Sequence, residues 1–200
     1  MAVIAEDARL VSIPWRKVAL VVGGVLVALV VGFLLTNTYA LLWQHRLEDR
    51  WARVVADGVT GAPAVGDPVA KIVIPRLGIE RVVVEGQDRA SLRKAPGHVP
   101  GSALPGEPGN AVIRGHRLLW SGPFRDLHTL NLGSEIHVQT AEGTAVYLVA
   151  GVFQQDGSRI DLFGDTTLPY LTLVTADPPF RADGTLVVRA TMVELNGAPV

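Results

Sequence analysis

The chain has 200 residues, 48% of them hydrophobic, and a formal net charge of −1. That length suits one ordinary domain with an appendage, and the near-neutral charge excludes a global field that would draw in nucleic acid. There is no cysteine, which rules out disulfides, thiolate metal sites and any thiol nucleophile in these residues.

The mean hydropathy of +0.32 is high for a purely soluble chain, and the excess is local. From Val18 to Gln44 no residue carries a formal charge, and the core VALVVGGVLVALVVGFLL spans Val18–Leu35. A helix rises ~1.5 Å per residue and the hydrocarbon slab is ~30 Å thick, so about 20 apolar residues cross it. The pattern predicts a transmembrane anchor over 18–43, with Tyr39 and Trp43 in the aromatic belt. A cleaved leader would have an apolar stretch of about 7–15 residues and an A-x-A-like site. NTYALL does not match, so the anchor is read as uncleaved. Basic residues flank both ends and their count is a tie. The pair Arg16–Lys17, abutting the span, places residues 1–17 in the cytoplasm and the C-terminal domain outside the cell membrane.

Residues 44–58, QHRLEDRWARVVADG, have helical spacing, with Leu47, Trp51, Val54 and Val55 on or near one face. With the Gly/Pro/Ala-rich VTGAPAVGDPVA that follows, 44–70 reads as a juxtamembrane helix and linker. The remainder, 71–196, is long enough for one buried core. It reads as all-β: KIVIP and IERVVVEG split by RLG, then GNAVIRGH, SEIHVQT, GTAVYLVAGVFQQ, YLTLVTA and TLVVRATMV. Strands of this length with Gly/Pro punctuation predict a closed or nearly closed barrel. Two short helical pieces interrupt it, DRASLRKA with Asp88 as its cap and PFRDLHTL with Pro123 near its first turn.

IPRLGIERVVVEG, APGHVPGSALPGEPGNAVIRGHR, FRDLHTLNLGSEIHVQTAEGTAVYLV and LTLVTADP resemble, in order, the successive motifs of a sortase. The similarity is to the class E-like group, with the class D-like group as the alternative. The resemblance implies an eight-stranded β-barrel carrying an extracytoplasmic cysteine transpeptidase. Such an enzyme cuts an LPxTG-like sorting signal and joins it to a cell-wall amine, without cofactor or metal. It implies three catalytic groups: a cysteine that holds the acyl group as a thioester, a histidine that moves protons and an arginine that steadies the oxyanion. His116 in GHR matches the histidine, Ala176 occupies the cysteine position and Thr185 occupies the arginine position. The resemblance therefore points to a pseudo-sortase that binds or scaffolds sorting-signal substrates. The alternative is an active sortase in which the cysteine has been replaced by alanine.

His98, Asn110, Arg181 and Arg189 are candidate substrate-binding residues. Arg189 lies four residues beyond Thr185 on the same strand face, roughly 13 Å away at ~3.3 Å per residue, too far to serve the same carbonyl. Arg181 sits in the turn. Asp177 pairs with Arg181 across that turn, or acts on water with His116; the first fits a turn aspartate. His128 and His137 read as surface residues, because their spacing matches no metal-binding pattern. GxSxG and GxxxxGK[ST] are both missing, which leaves a serine hydrolase elbow and a phosphate loop unsupported.

Overall fold

The computed structural model describes residues 14–58, 62–156, 167–177 and 184–200. The chain divides into two units, Met1–Leu35 and Thr36–Val200. In the first unit, the described residues form the start of helix α1 (Trp15–Asp57). Its apolar side chains from Val18 to Leu35 are exposed, and an 18-residue window reaches a mean hydropathy of 3.0, long and apolar enough to cross a membrane.

Helix α1 has no break at residue 43 or 44, where the sequence pattern separated an anchor from a juxtamembrane helix. From Phe33 to Asp57 there is neither glycine nor proline to interrupt it. It stops at Gly58, whose left-handed φ of 77° suits a helix C-terminus. In the second unit its buried stripe is Ala40, Gln44, Leu47 and Trp51, positions that recur at helical spacing. Leu47 and Trp51 pack with Val82, Val84 and Ala95. Gln44 extends the contact by accepting from Val82 N at 3.0 Å. Val55, expected on that face, is exposed.

The strands are β1 (Pro68–Ile74), β2 (Ile79–Glu85), β3 (Gly97–His98), β4 (Asn110–Arg114), β5 (Glu135–Thr140), β6 (Gly143–Asp156), β7 (Tyr170–Ala176) and β8 (Gly184–Leu195). Their order is β6-β5-β1-β2-β3-β4-β7-β8, and β8 returns to β6, which closes an eight-stranded barrel. A two-residue strand, β9 (Ala198–Pro199), adds to the end of β8. The pairs β2–β3 and β4–β7 are parallel. The barrel is the predicted fold; β1 begins three positions inside the stretch read as linker.

Alternation along the strands places one face inward. Ile72, Ile113, Ile136, Tyr147, Leu171 and Val188 are fully buried members of one core. Even the Tyr147 hydroxyl is inside, where it accepts from Gly106 N at 2.8 Å. Burial pushes its pKa up. The first predicted helical piece is present as α2 (Arg89–Leu92), and the Asp88 carboxylate accepts from the amides of Ala90 and Ser91. The second shrinks to a 3₁₀ turn at Leu127–Thr129. Its start is diverted because the Phe124 amide bonds back to His116 O and the Phe124 ring enters the core.

Candidate active-site cleft

β4, β7 and β8 run side by side. Their inward residues Ala111, Ile113, Leu171, Leu173, Leu186 and Val188 fill the core, so alternation sends Arg114, Ala176 and Thr185 to the outer face. There a cleft of about 370 Å³ opens, lined by Leu92, Arg114, His116, Ala176 and Thr185 among others. The register pairs Ala176 directly with Thr185. The structure thus brings together the positions singled out as the three catalytic ones.

Gly115 shows why His116 lies where it does. A Cβ on Gly115 would sit 2.5 Å from the Phe124 ring, so a bare backbone lets the chain press against that ring. His116 is half-buried, with Nδ1 3.0 Å from Leu92 O at the end of α2. A carbonyl only accepts, so Nδ1 carries the proton and the neutral ring keeps its lone pair on Nε2. Burial lowers the pKa of His116, helped by nearby Arg93 and opposed by the Leu92 carbonyl. The net shift favours the neutral ring, the form a proton acceptor needs. Opposite it, Ala176 offers a methyl group. The Thr175 hydroxyl donates to Gly115 O at 2.8 Å and the residue is buried, which commits it to the backbone.

Asp177 follows Ala176 but plays into a different group. It is buried, ion-paired to Arg117, and accepts from Gln154 Nε2. Arg117 also donates to Ala176 O at 3.2 Å. Alternation turns Asp177 toward the barrel end where Gln154 sits, and neither of its oxygens bonds to His116. The pairing expected with Arg181 cannot be placed, because Arg181 lies outside the described residues. Arg117 and Gln154 were missed in the sequence. The only available signal was Arg117 standing next to His116; its carboxylate partner is 60 residues away.

The other candidates lie apart from the cleft lining. Arg189 faces Thr172 across β7–β8, and its guanidinium stands 6.0 Å from the Tyr170 ring centroid. Asn110 opens β4 and accepts from the Thr172 hydroxyl at 2.7 Å. His128 is exposed, and His137 contacts Glu135 at 2.9 Å. No group of residues suited to hold a metal occurs among the described residues.

His98 corrects a reading: it lies on β3 and is 2% exposed, well inside the structure. Its Nδ1 is 2.7 Å from Glu85 Oε2 and its Nε2 is 2.9 Å from Ser102 Oγ. That line of Ser, His and Glu has the outline of a hydrolytic triad, yet its protons are wrongly placed. Ser102 Oγ donates to Val99 O at 2.7 Å. Nε2 faces Ala103 O at 2.9 Å and must therefore be the donor. A ring nitrogen carrying a proton cannot take one from Ser102. The group ties β2, β3 and the following loop together.

A family model described as a sortase domain matches residues 72–193, more than half of the chain. The chain belongs to the sortase family. Among curated sortases, it is 26% identical over 201 residues to sortase SrtE1 of Streptomyces coelicolor, covering 86% of this chain and 56% of the relative. It is 32% identical over 85 residues to sortase D of Bacillus subtilis, covering 42% of this chain and 41% of that one. The chain thus spans about half the length of these curated relatives. Among solved structures, a sortase E1 from Streptomyces coelicolor, with a tripeptide in its active site, superposes with a TM-score of 0.60 at 28% identity. That match covers 66% of this chain and 92% of the other. A Clostridium perfringens sortase D5 transpeptidase gives 0.67 at 24% identity, over 78% and 99%, and supports the fold.

Proposed function

We propose that this sortase-family chain is a membrane-anchored pseudo-sortase. It binds sorting-signal-like peptides in the β4–β7–β8 cleft, or scaffolds the surface proteins that carry them, without transpeptidating them. One observation carries the reading. His116, its Nδ1 held by Leu92 O, lines a cleft whose neighbouring strand end bears only the methyl of Ala176. The family reaction starts with a thiolate attacking a carbonyl carbon to give a thioester. A methyl group has no lone pair, and the chain has no cysteine to stand in. Thr185, at the arginine position, supplies no positive charge for an oxyanion. What survives is a cleft about 370 Å³ in volume, within the range of small-ligand sites. The tripeptide in the related sortase E1 supports a short peptide as the occupant.

The test uses the full chain in lipid nanodiscs. Titration with an LPxTG-type peptide in a calorimeter gives saturable binding, while mass spectrometry finds no covalent adduct and no amide exchange. A peptide adduct on the unmodified chain would refute the inactive reading; absence of saturable binding would refute the peptide-receptor role. A second reading, an active sortase whose cysteine has been replaced, is favoured by the intact His116 arrangement. It requires Ala176→Cys alone to restore turnover. Restoration only after Thr185→Arg is added sinks it.

A further inference from the structure

A second cavity, of about 190 Å³, lies between the β1–β2 turn and residues 121–126. Arg81, Ser121, Arg125 and Asp126 line it, two guanidinium groups against one carboxylate. Arg81 Nη1 donates to Glu80 O at 2.8 Å. Its Nε is buried with no hydrogen-bond partner. Buried donors are almost always paired, so the Arg81 guanidinium that lines the cavity still has donor capacity to satisfy.

The loop that walls this cavity is held unusually. Trp120 and Ser121 have φ of 56° and 64°, left-handed backbone in two residues that are not glycine. Such strain persists only where the surroundings impose it. Here Asn37 Oδ1 accepts from Ser121 N at 2.7 Å, and Tyr39 meets Trp120 edge-on at 5.8 Å. Asn37 stands two positions after Leu35, the end of the apolar run. Cations are layered on the rings. Arg93 lies 5.4 Å from the Trp120 centroid, and Lys94 and Arg46 lie 4.5 Å and 5.3 Å from that of Trp43. Leu119, beside them, is 41% exposed. Aromatic rings just beyond an apolar span belong at headgroup depth, and cations held there meet lipid phosphates.

We propose that this rim of the sortase domain is a binding site for an anionic, hydroxylated phospholipid headgroup of the phosphatidylglycerol type. Arg81 and Arg125 take the phosphodiester in the cavity, and Asp126 accepts from the headgroup hydroxyls. Arg93, Lys94 and Arg46 face neighbouring headgroups from their places on Trp120 and Trp43. The inference rests on α1 being a membrane anchor. It is independent of what the His116 cleft binds, so failure of either leaves the other standing.

Native mass spectrometry of the full chain, released from discs of mixed phosphatidylcholine and phosphatidylglycerol, tests it. The chain retains phosphatidylglycerol preferentially. Arg81→Gln and Arg125→Gln each reduce that preference roughly fivefold, and lysine at both positions restores part of it. No preference in the parent chain, or an unchanged preference in the double glutamine variant, overturns the proposal. So does inorganic phosphate, if it displaces the retained phosphatidylglycerol as effectively as a soluble phosphatidylglycerol does. A second measurement needs no arginine change. Because the chain lacks cysteine, Leu119→Cys takes a single spin label, and a nickel-chelating lipid broadens it far more than a label on Glu142→Cys. Glu142 lies in the β5–β6 hairpin, at the opposite end of β1 from the cavity. Equal broadening at the two positions overturns the proposal.

Discussion

Two histidines divide the polar chemistry of the barrel. His98 has both ring nitrogens engaged, by Glu85 on one side and by Ala103 O and Ser102 on the other. His116 has only Nδ1 engaged and lines a cleft. The more triad-like geometry belongs to His98, and it is the one that cannot react. A proton inventory separates fastening from catalysis more sharply than distance does, because a base needs an unfilled lone pair near a space where substrate fits.

The sharpest way to break the comparison is to give His116 a nucleophile. Ala176→Cys should produce a peptide thioester detectable by mass spectrometry, and His116→Ala in that background should remove it. The thiol form should acquire the adduct on the order of 10⁶ faster than the methyl form, by analogy with loss of a serine nucleophile, while sustained turnover still waits on a cation at Thr185. A histidine that were merely structural would leave the adduct intact. Adding Thr185→Arg to Ala176→Cys should raise the rate by roughly 10²–10³, the worth of one oxyanion donor, as measured by peptide cleavage. No change would show that Thr185 does not face the reacting carbonyl.

His98 should respond in stability. His98→Ala leaves Glu85 buried without its partner and should cost roughly 3 kcal/mol in denaturant unfolding. Peptide affinity of the folded fraction should stay as it was. A large affinity loss with normal stability would reverse the roles assigned to the two histidines.

The smallest effect is a pH dependence at His116. Its folded pKa lies below the ordinary value of 6.5 because burial disfavours the charged ring. Below 6.5 the unfolded chain therefore takes up a proton before the folded one does. Stability from this group is complete above about 6.5 and falls as pH drops from there toward the folded pKa. Thermal melting of the parent chain should lose ground to His116→Gln across that window; parallel curves would show that burial does not perturb the ring.

Much of the barrel was readable because its strands are short apolar runs between turn residues. YLTLVTA coincides with β7, and GNAVIRGH contains β4. β3 was not readable: two residues, Gly97 and His98, gain their strand character only from neighbours, and APGHVPG has the composition of a loop. Gln44 escaped notice for a related reason. Its polarity fits a solvated face, and only the backbone groups of Val82 and Lys94 that it bonds explain its burial. That His116, Ala176 and Thr185 share one cleft agrees with the resemblance. The Arg117–Asp177–Gln154 group was not legible, because it forms between residues distant in the chain whose types occur on any protein surface.

The return of β8 onto β6 has a consequence for how partners can be held. Along the ladder from Asp156 to Ala145, interrupted only by register shifts at Val146/Tyr147 and Val149/Gly151, each strand already has a neighbour on both sides. An incoming extended chain finds no vacant flank there on which to grow another strand, the route open to proteins with an exposed sheet margin. Discrimination between visitors then falls to side chains on the outer wall, so single substitutions there should change which peptide is preferred while the scaffold beneath keeps its shape.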